Sequence, residues 1–148
     1  MTRQGDLSHY NSCNVLSLHA LLGAYSDEGA QWLDELRPVL ADNIRYACDF
    51  IAAHFPGVQV MQPQGTYMLF LDCAAWLQEH HMTLRELEEH GARAGVIWQD
   101  GAAFAWPDSI RMNLALPHSR LVEAMERLRP RSRAGKRRSV PSAAHRRG

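Results

Sequence analysis

Residues 108–117 read DSIRMNLALP, and the rest of the chain can be placed from them. Successive side chains of a β-strand point to opposite faces of the sheet. On that period Ile110, Met112 and Leu114 share one face, and Arg111, Asn113 and Ala115 share the other. The first is a core face. The second carries an arginine with an asparagine two residues on. A solvated strand face accounts for that pair, and it is the simpler reading of the strand alone. So does a pocket that grips a carboxylate, because a guanidinium is a planar fork that meets two carboxylate oxygens with parallel hydrogen bonds.

Working outward, Ser119 is expected to cap a last helix to about Leu128, with Leu121, Ala124, Met125 and Leu128 as its buried stripe. Upstream, 100–108 reads as a loop and 95–99 as a strand. Thr83-Leu84-Arg85-Glu86 is a capping box that opens a helix to about Arg93. Ala74–Glu79 reads as a short helix. TYMLFLD, 66–72, is a strand rich in aromatic and apolar residues. PQG, 63–65, is a turn, and 58–62 a short strand.

From Gln31 to Phe55 an apolar stripe recurs at three- and four-residue steps: Leu33, Leu36, Leu40, Ile44, Ala47, Ile51 and Phe55. Pro38 lies inside it and predicts a kink or break, because proline lacks an amide donor and clashes with the preceding turn. Residues 14–25, NVLSLHALLGAY, predict a helix too apolar for a free surface, so it needs a large partner face. The order strand, strand, helix, helix, strand, strand, helix behind a long helix defines an α+β domain: a short sheet with helices on one side.

The chain has 148 residues, 46% of them hydrophobic, which suits one domain or part of one. No apolar run reaches the length of a membrane span, and the N-terminus lacks the apolar core of a secretory signal, so a cytoplasmic location is expected. The net charge of zero hides a split. Arg131, Arg133, Lys136, Arg137, Arg138, Arg146 and Arg147 crowd the last 19 residues without an acid, so every acidic residue lies earlier. That tail has no apolar face and is expected to be disordered. It offers no aromatic residue to stack on bases, so a nucleic-acid partner is not expected. Lys136 is the chain's one lysine.

Cys13, Cys48 and Cys73 fit no zinc or redox spacing and read as free thiols. Glu79, His80, His81 and His90 suggest a metal site only briefly. Adjacent helical positions diverge by about 100°, so surface histidines are the better reading and no metal is expected. No nucleophile elbow, GxGxxG or P-loop occurs.

Four segments in order then carry a resemblance: GAYSDEGAQWLDELRPVLADNIRYACDFIAAHFPGV, PQGTYMLFLDC, AGVIWQDGAAF and SIRMNLALPHSRLVEAMERL. Their AY…G..WL…L…L..N, PxGTY and RxNxAxP patterns are each common. Together, from Gly23 to Leu128, the chain resembles the C-terminal part of fold type I PLP-dependent enzymes. The branch is the cystathionine β-lyase-like (MalY/PatB, cysteine-S-conjugate β-lyase) one, beside the class I/II aminotransferases. The resemblance implies that Arg111 binds the α-carboxylate of an amino-acid substrate. It also implies that Gly65, Tyr67 and Asn113 border the cleft, and that an intact enzyme is a homodimer using pyridoxal 5'-phosphate.

In that family a lysine holds the cofactor as a Schiff base, and thiol is eliminated from Cβ to leave pyruvate and ammonia. The lysine, an aspartate to the pyridine nitrogen and the phosphate ligands would come from upstream of this chain. Lys136, in the polar tail, cannot replace that lysine. No catalytic or cofactor-binding residue is therefore expected here, and the chain alone is expected to be inactive. A class I/II aminotransferase fragment and a non-catalytic dimerisation or binding module are the other readings that these features allow. The implied division is 1–28 as a remnant of the large cofactor domain, 29–129 as the small C-terminal domain and 130–148 as the tail. The chain departs from the family in the loop before the RxN strand. The usual PG..FG is here Gln99-Asp100-Gly101-Ala102-Ala103-Phe104-Ala105, with alanine at the second glycine and a loop that looks a few residues shorter.

Overall fold

The structure, a computed structural model, describes residues 14–130. Cys13, Lys136 and all but the first residue of the expected tail lie outside them. The helices are α1 (Val15–Ala24), α2 (Asp27–His54), α3 (Ala74–Glu79), α4 (Leu84–Arg93) and α5 (His118–Leu128). The strands are β1 (Gln59–Met61), β2 (Met68–Asp72), β3 (Gln99–Asp100) and β4 (Ser109–Asn113). All three strand pairings are antiparallel, in the order β1-β2-β4-β3.

The alternation along β4 is the one that the sequence predicts. Ile110, Met112 and Leu114 are buried, Arg111 is half-buried, and Asn113 and Ala115 are exposed. Leu69 and Leu71 of β2 lie opposite Met112 and Ile110 and continue the core face. Ile44, Ala47, Phe50 and Ile51 of α2, Leu77 of α3, and Leu121 and Met125 of α5 close over it. One face of the sheet is thus a core. The other carries Phe70, Arg111 and Asn113.

Asn43 ties α2 to the chain beyond β4. Its side chain is fully buried, and its Nδ2 donates to the carbonyls of Leu114 and Leu116, each at 2.9 Å. Its Oδ1 accepts from Nδ1 of His118 at 2.9 Å. An amide can satisfy all three partners at once, which is why a polar group persists in this core.

Several local expectations need correction. α2 runs unbroken through Pro38. The carbonyl that Pro38 leaves unbonded belongs to Asp34, on an exposed part of the helix where water satisfies it. Only the second half of α2 is buried, and Leu33 of the expected stripe is 41% exposed.

The strand expected over 95–99 shrinks to Gln99–Asp100. The amides of Gly95 and Val96 are taken instead by the carbonyls of Ala92 and Gly91, a Schellman close to α4 with Gly95 at φ +79°. The last helix begins at His118 behind Pro117, so Ser119 lies inside its first turn and does not cap it. By contrast, the Thr83–Glu86 capping box forms in both directions, and Asn14 and Ser26 cap α1 and α2.

α1 buries none of its residues; Leu16 is 82% exposed. Trp32, Leu33 and Val39 of α2 are exposed as well. No helix among the described residues is long and apolar enough to cross a membrane.

Candidate substrate-carboxylate site

Arg111 sits mid-strand in β4, opposite Phe70 of β2 on one side and Gln99 of β3 on the other. Its guanidinium carbon lies 4.2 Å from the centre of the Phe104 ring, a cation–π contact. Phe104 in turn meets Phe70 edge-on, with ring centres 5.7 Å apart and planes at 90°.

Phe104 ends a short 3₁₀ turn, Gly101–Phe104, whose position is fixed at both ends. Asp100 Oδ1 accepts from the amide of Ala102 at 2.7 Å, and the Ser109 hydroxyl donates to the carbonyl of Trp106 at 2.7 Å. Gly101 is required here, because a Cβ would collide with Ser109 Oγ and the Trp106 carbonyl. The turn leaves through Ala105 at φ +59°, a left-handed conformation that suits glycine better than alanine. The residue at the family's second glycine position thus keeps a glycine conformation.

Every other arginine among the described residues has a carboxylate within one or two helical turns: Arg37, Arg45, Arg85, Arg93, Arg120, Arg127 and Arg129. Arg111 is the exception among them. Its Nε is buried without a hydrogen-bond partner. A guanidinium with no carboxylate partner among the described residues, held against the Phe104 ring, is an arrangement that an incoming anion can complete through its Nη nitrogens.

The other expected residues are less closely gathered. Gly65 and Tyr67 are exposed just before β2, and the Tyr67 carbonyl accepts from the amide of Leu114 at 2.9 Å. Asn113 pairs with Met68 across the strands, and its Oδ1 accepts from the amide of Ala115 at 2.8 Å, so that oxygen is held on its own strand. Sequence reasoning missed Phe104 and Phe70 as neighbours of Arg111. The period of β2 already put Phe70 on the arginine's face, whereas Phe104 lies in a loop whose course no periodicity predicts.

His80 stacks on Trp76 at 4.1 Å, and its Nδ1 lies 2.8 Å from the Trp76 carbonyl. No group of three or more His, Cys, Asp or Glu suited to a metal occurs among the described residues. Cys48 and Cys73 are free. Burial, reinforced by the Asp72 and Asp108 carboxylates, pushes the Cys73 thiol up to about 12.

This fold is that of an amino-acid-processing class. Residues 4–128 match the aminotransferase class I and II family, and the chain belongs to that family. Protein MalY of Escherichia coli is 33% identical over 119 residues, 78% of this chain and 29% of that protein. The cystathionine beta-lyase of Corynebacterium glutamicum is 35% identical over 118 residues, 78% of this chain and 30% of that one. Among solved structures, cystalysin from Treponema denticola, which contains pyridoxal 5'-phosphate, aligns at TM-score 0.67 and 28% identity over 78% of this chain and 29% of its own. The chain therefore spans about 30% of the length of the relatives it matches.

Pyridoxal 5'-phosphate is the cofactor of this family. The described residues do not fit the group itself. They contain no lysine to hold its aldehyde, and the chain's one lysine, Lys136, lies outside them.

Proposed function

We propose that this chain is the C-terminal domain of a PLP-dependent carbon–sulfur β-lyase, acting on cystathionine or cysteine S-conjugates to release thiol, pyruvate and ammonia. Its contribution is to bind and orient the substrate's α-carboxylate through Arg111. The guanidinium of Arg111, seated on Phe104 and the one among the described arginines without a carboxylate partner, carries this reading. When bound, the cofactor supplies the electron sink for the carbanion at Cα. Arg111 fixes one end of the substrate, and so which of its bonds faces that sink.

The relatives named cystathionine beta-lyase favour a lyase. An aminotransferase is the second reading, supported by a probable aspartate/prephenate aminotransferase of Aquifex aeolicus, 31% identical over 74 residues. Under either reading 1–28 belongs with the large domain, 29–129 is the small domain, 130–148 is a basic tail, and the location is cytoplasmic. The uncovered apolar helix α1 is the surface that the rest of the enzyme, or its second subunit in a homodimer, would cover.

The test joins residues 14–130 to the cofactor-binding portion of a MalY-like lyase and measures pyruvate released from cystathionine. Arg111→Gln should raise KM about tenfold or more, the worth of a charge-assisted hydrogen bond, without displacing the cofactor. An unchanged KM defeats the reading. The 148-residue chain mixed with the cofactor should release no pyruvate; release would refute its inactivity alone.

A further inference from the structure

We infer that Phe104 is a positioning residue for Arg111, and that it leaves the Nη edge of the guanidinium, rather than the Nε side, to receive a carboxylate. The inference rests on the carboxylate reading of Arg111 and extends it to the geometry of approach.

An arginine in a strand reaches its target through four rotatable bonds, and an unrestrained one sweeps a wide arc. Here the sweep is closed. Phe104 lies under the guanidinium at 4.2 Å, and Phe70, the cross-strand neighbour of Arg111, abuts Phe104 edge-on. A quadrupole beneath a planar cation fixes its plane as well as its place. The shelf is itself anchored to β4, because the turn bearing Phe104 closes onto Ser109, two residues before Arg111. Arg111 and its shelf therefore move as one unit.

Within the folded chain Nε is sealed. That nitrogen is shut off from solvent and has no acceptor. A carboxylate oxygen, no smaller than the oxygen of a water molecule, cannot reach it without opening the packing around it. The two Nη nitrogens remain as the fork. Side-on approach through Nε would need the packing around it to open; end-on approach through Nη1 and Nη2 needs no movement. Phe104 is 45% exposed, so its replacement tests position rather than folding.

The experiment uses the 148-residue chain with ¹⁵N-labelled arginine, and acetate as the probe. The Nε–H resonance of Arg111, assigned by its loss in Arg111→Gln, should lie upfield from the ring current of Phe104 and should shift little as acetate is added. Phe104→Leu keeps the bulk but loses the quadrupole. It should move that resonance toward the position of exposed arginines and weaken acetate binding about two- to fivefold, the worth of an exposed cation–π contact. Phe104→Tyr should restore both, which a space-filling role alone would not. Wild-type shift and affinity in Phe104→Leu overturn the positioning role. A large acetate-induced shift at Nε overturns the end-on geometry. If Arg111→Gln binds acetate as the wild type does, the carboxylate reading falls first, independently of Phe104.

Discussion

Replacing Asn43 by leucine removes the amide that joins α2 to the segment following β4, and with it the fixed path by which Arg111's strand leaves the sheet. The side chain is wholly buried, so two carbonyls, of Leu114 and Leu116, lose their donor. Leucine has the same branched shape and more bulk, so no cavity is left. The cost is then the stranded carbonyls at roughly 1–3 kcal/mol each. Leu114 is fully buried and Leu116 only half, so about 3 kcal/mol in total is expected. Unfolding entropy for residues 14–130 amounts to about 0.25 kcal/mol/K, so the midpoint should fall by about 12 °C.

Thermal and urea unfolding followed by circular dichroism measure this directly. Asn43→Asp is the sharper companion. It keeps the shape but turns the donor into an oxygen facing two carbonyls, so the folded state holds this carboxyl protonated and raises its pKa above the unfolded value of about 3.9. The folded chain then binds the extra proton, and stability falls as pH rises from about 4 through the folded pKa. The deficit of Asn43→Asp should shrink in acid while that of Asn43→Leu persists. A loss under about 1 kcal/mol for leucine, or a pH-independent deficit for aspartate, would refute the reasoning.

Three further outcomes are expected. Ala105→Gly relieves the left-handed φ of +59° and should stabilise by roughly 0.5–1 kcal/mol net of glycine's unfolded-state entropy, a rise of about 2–4 °C in the same melts. In the folded chain Cys73 should resist alkylation at neutral pH and become reactive only on unfolding, whereas half-buried Cys48 should label first; peptide mass mapping reads both. Because the folded thiol keeps its proton up to about 12, stability should decline as pH rises above its ordinary value of 9.0, and Cys73→Ala should flatten that decline.

Strand period and the Thr83–Glu86 capping box were legible from the residues because they are local. The alternation through Ile110–Leu114 placed Arg111 on the face opposite the core, and Thr83–Glu86 marked a helix start to the residue. What was not legible depends on contacts distant in sequence. Asn43 closes the AY…N pattern, yet nothing nearby says that its partners lie at Leu114, Leu116 and His118. Val96 and Ile97 are good strand formers, but the amide of Val96 is already committed to closing α4. Pro38 warned of a break that solvent exposure made unnecessary. The aromatic shelf under Arg111 needed a loop to fold back across β4, and the sequence of such a loop specifies turns rather than destinations.

α1 has a consequence in the cell. VLSLHALLGA contains no acidic, lysine or arginine side chain, so where it stands uncovered no fixed charge discourages its adhesion to other surfaces. Chaperones and proteases sort proteins by such exposed surface, and they act on it continuously. A copy of this domain with α1 uncovered therefore displays a sorting signal, and one with α1 covered hides it. The helix that contributes least to the domain's own core can thus report whether the domain has found its place.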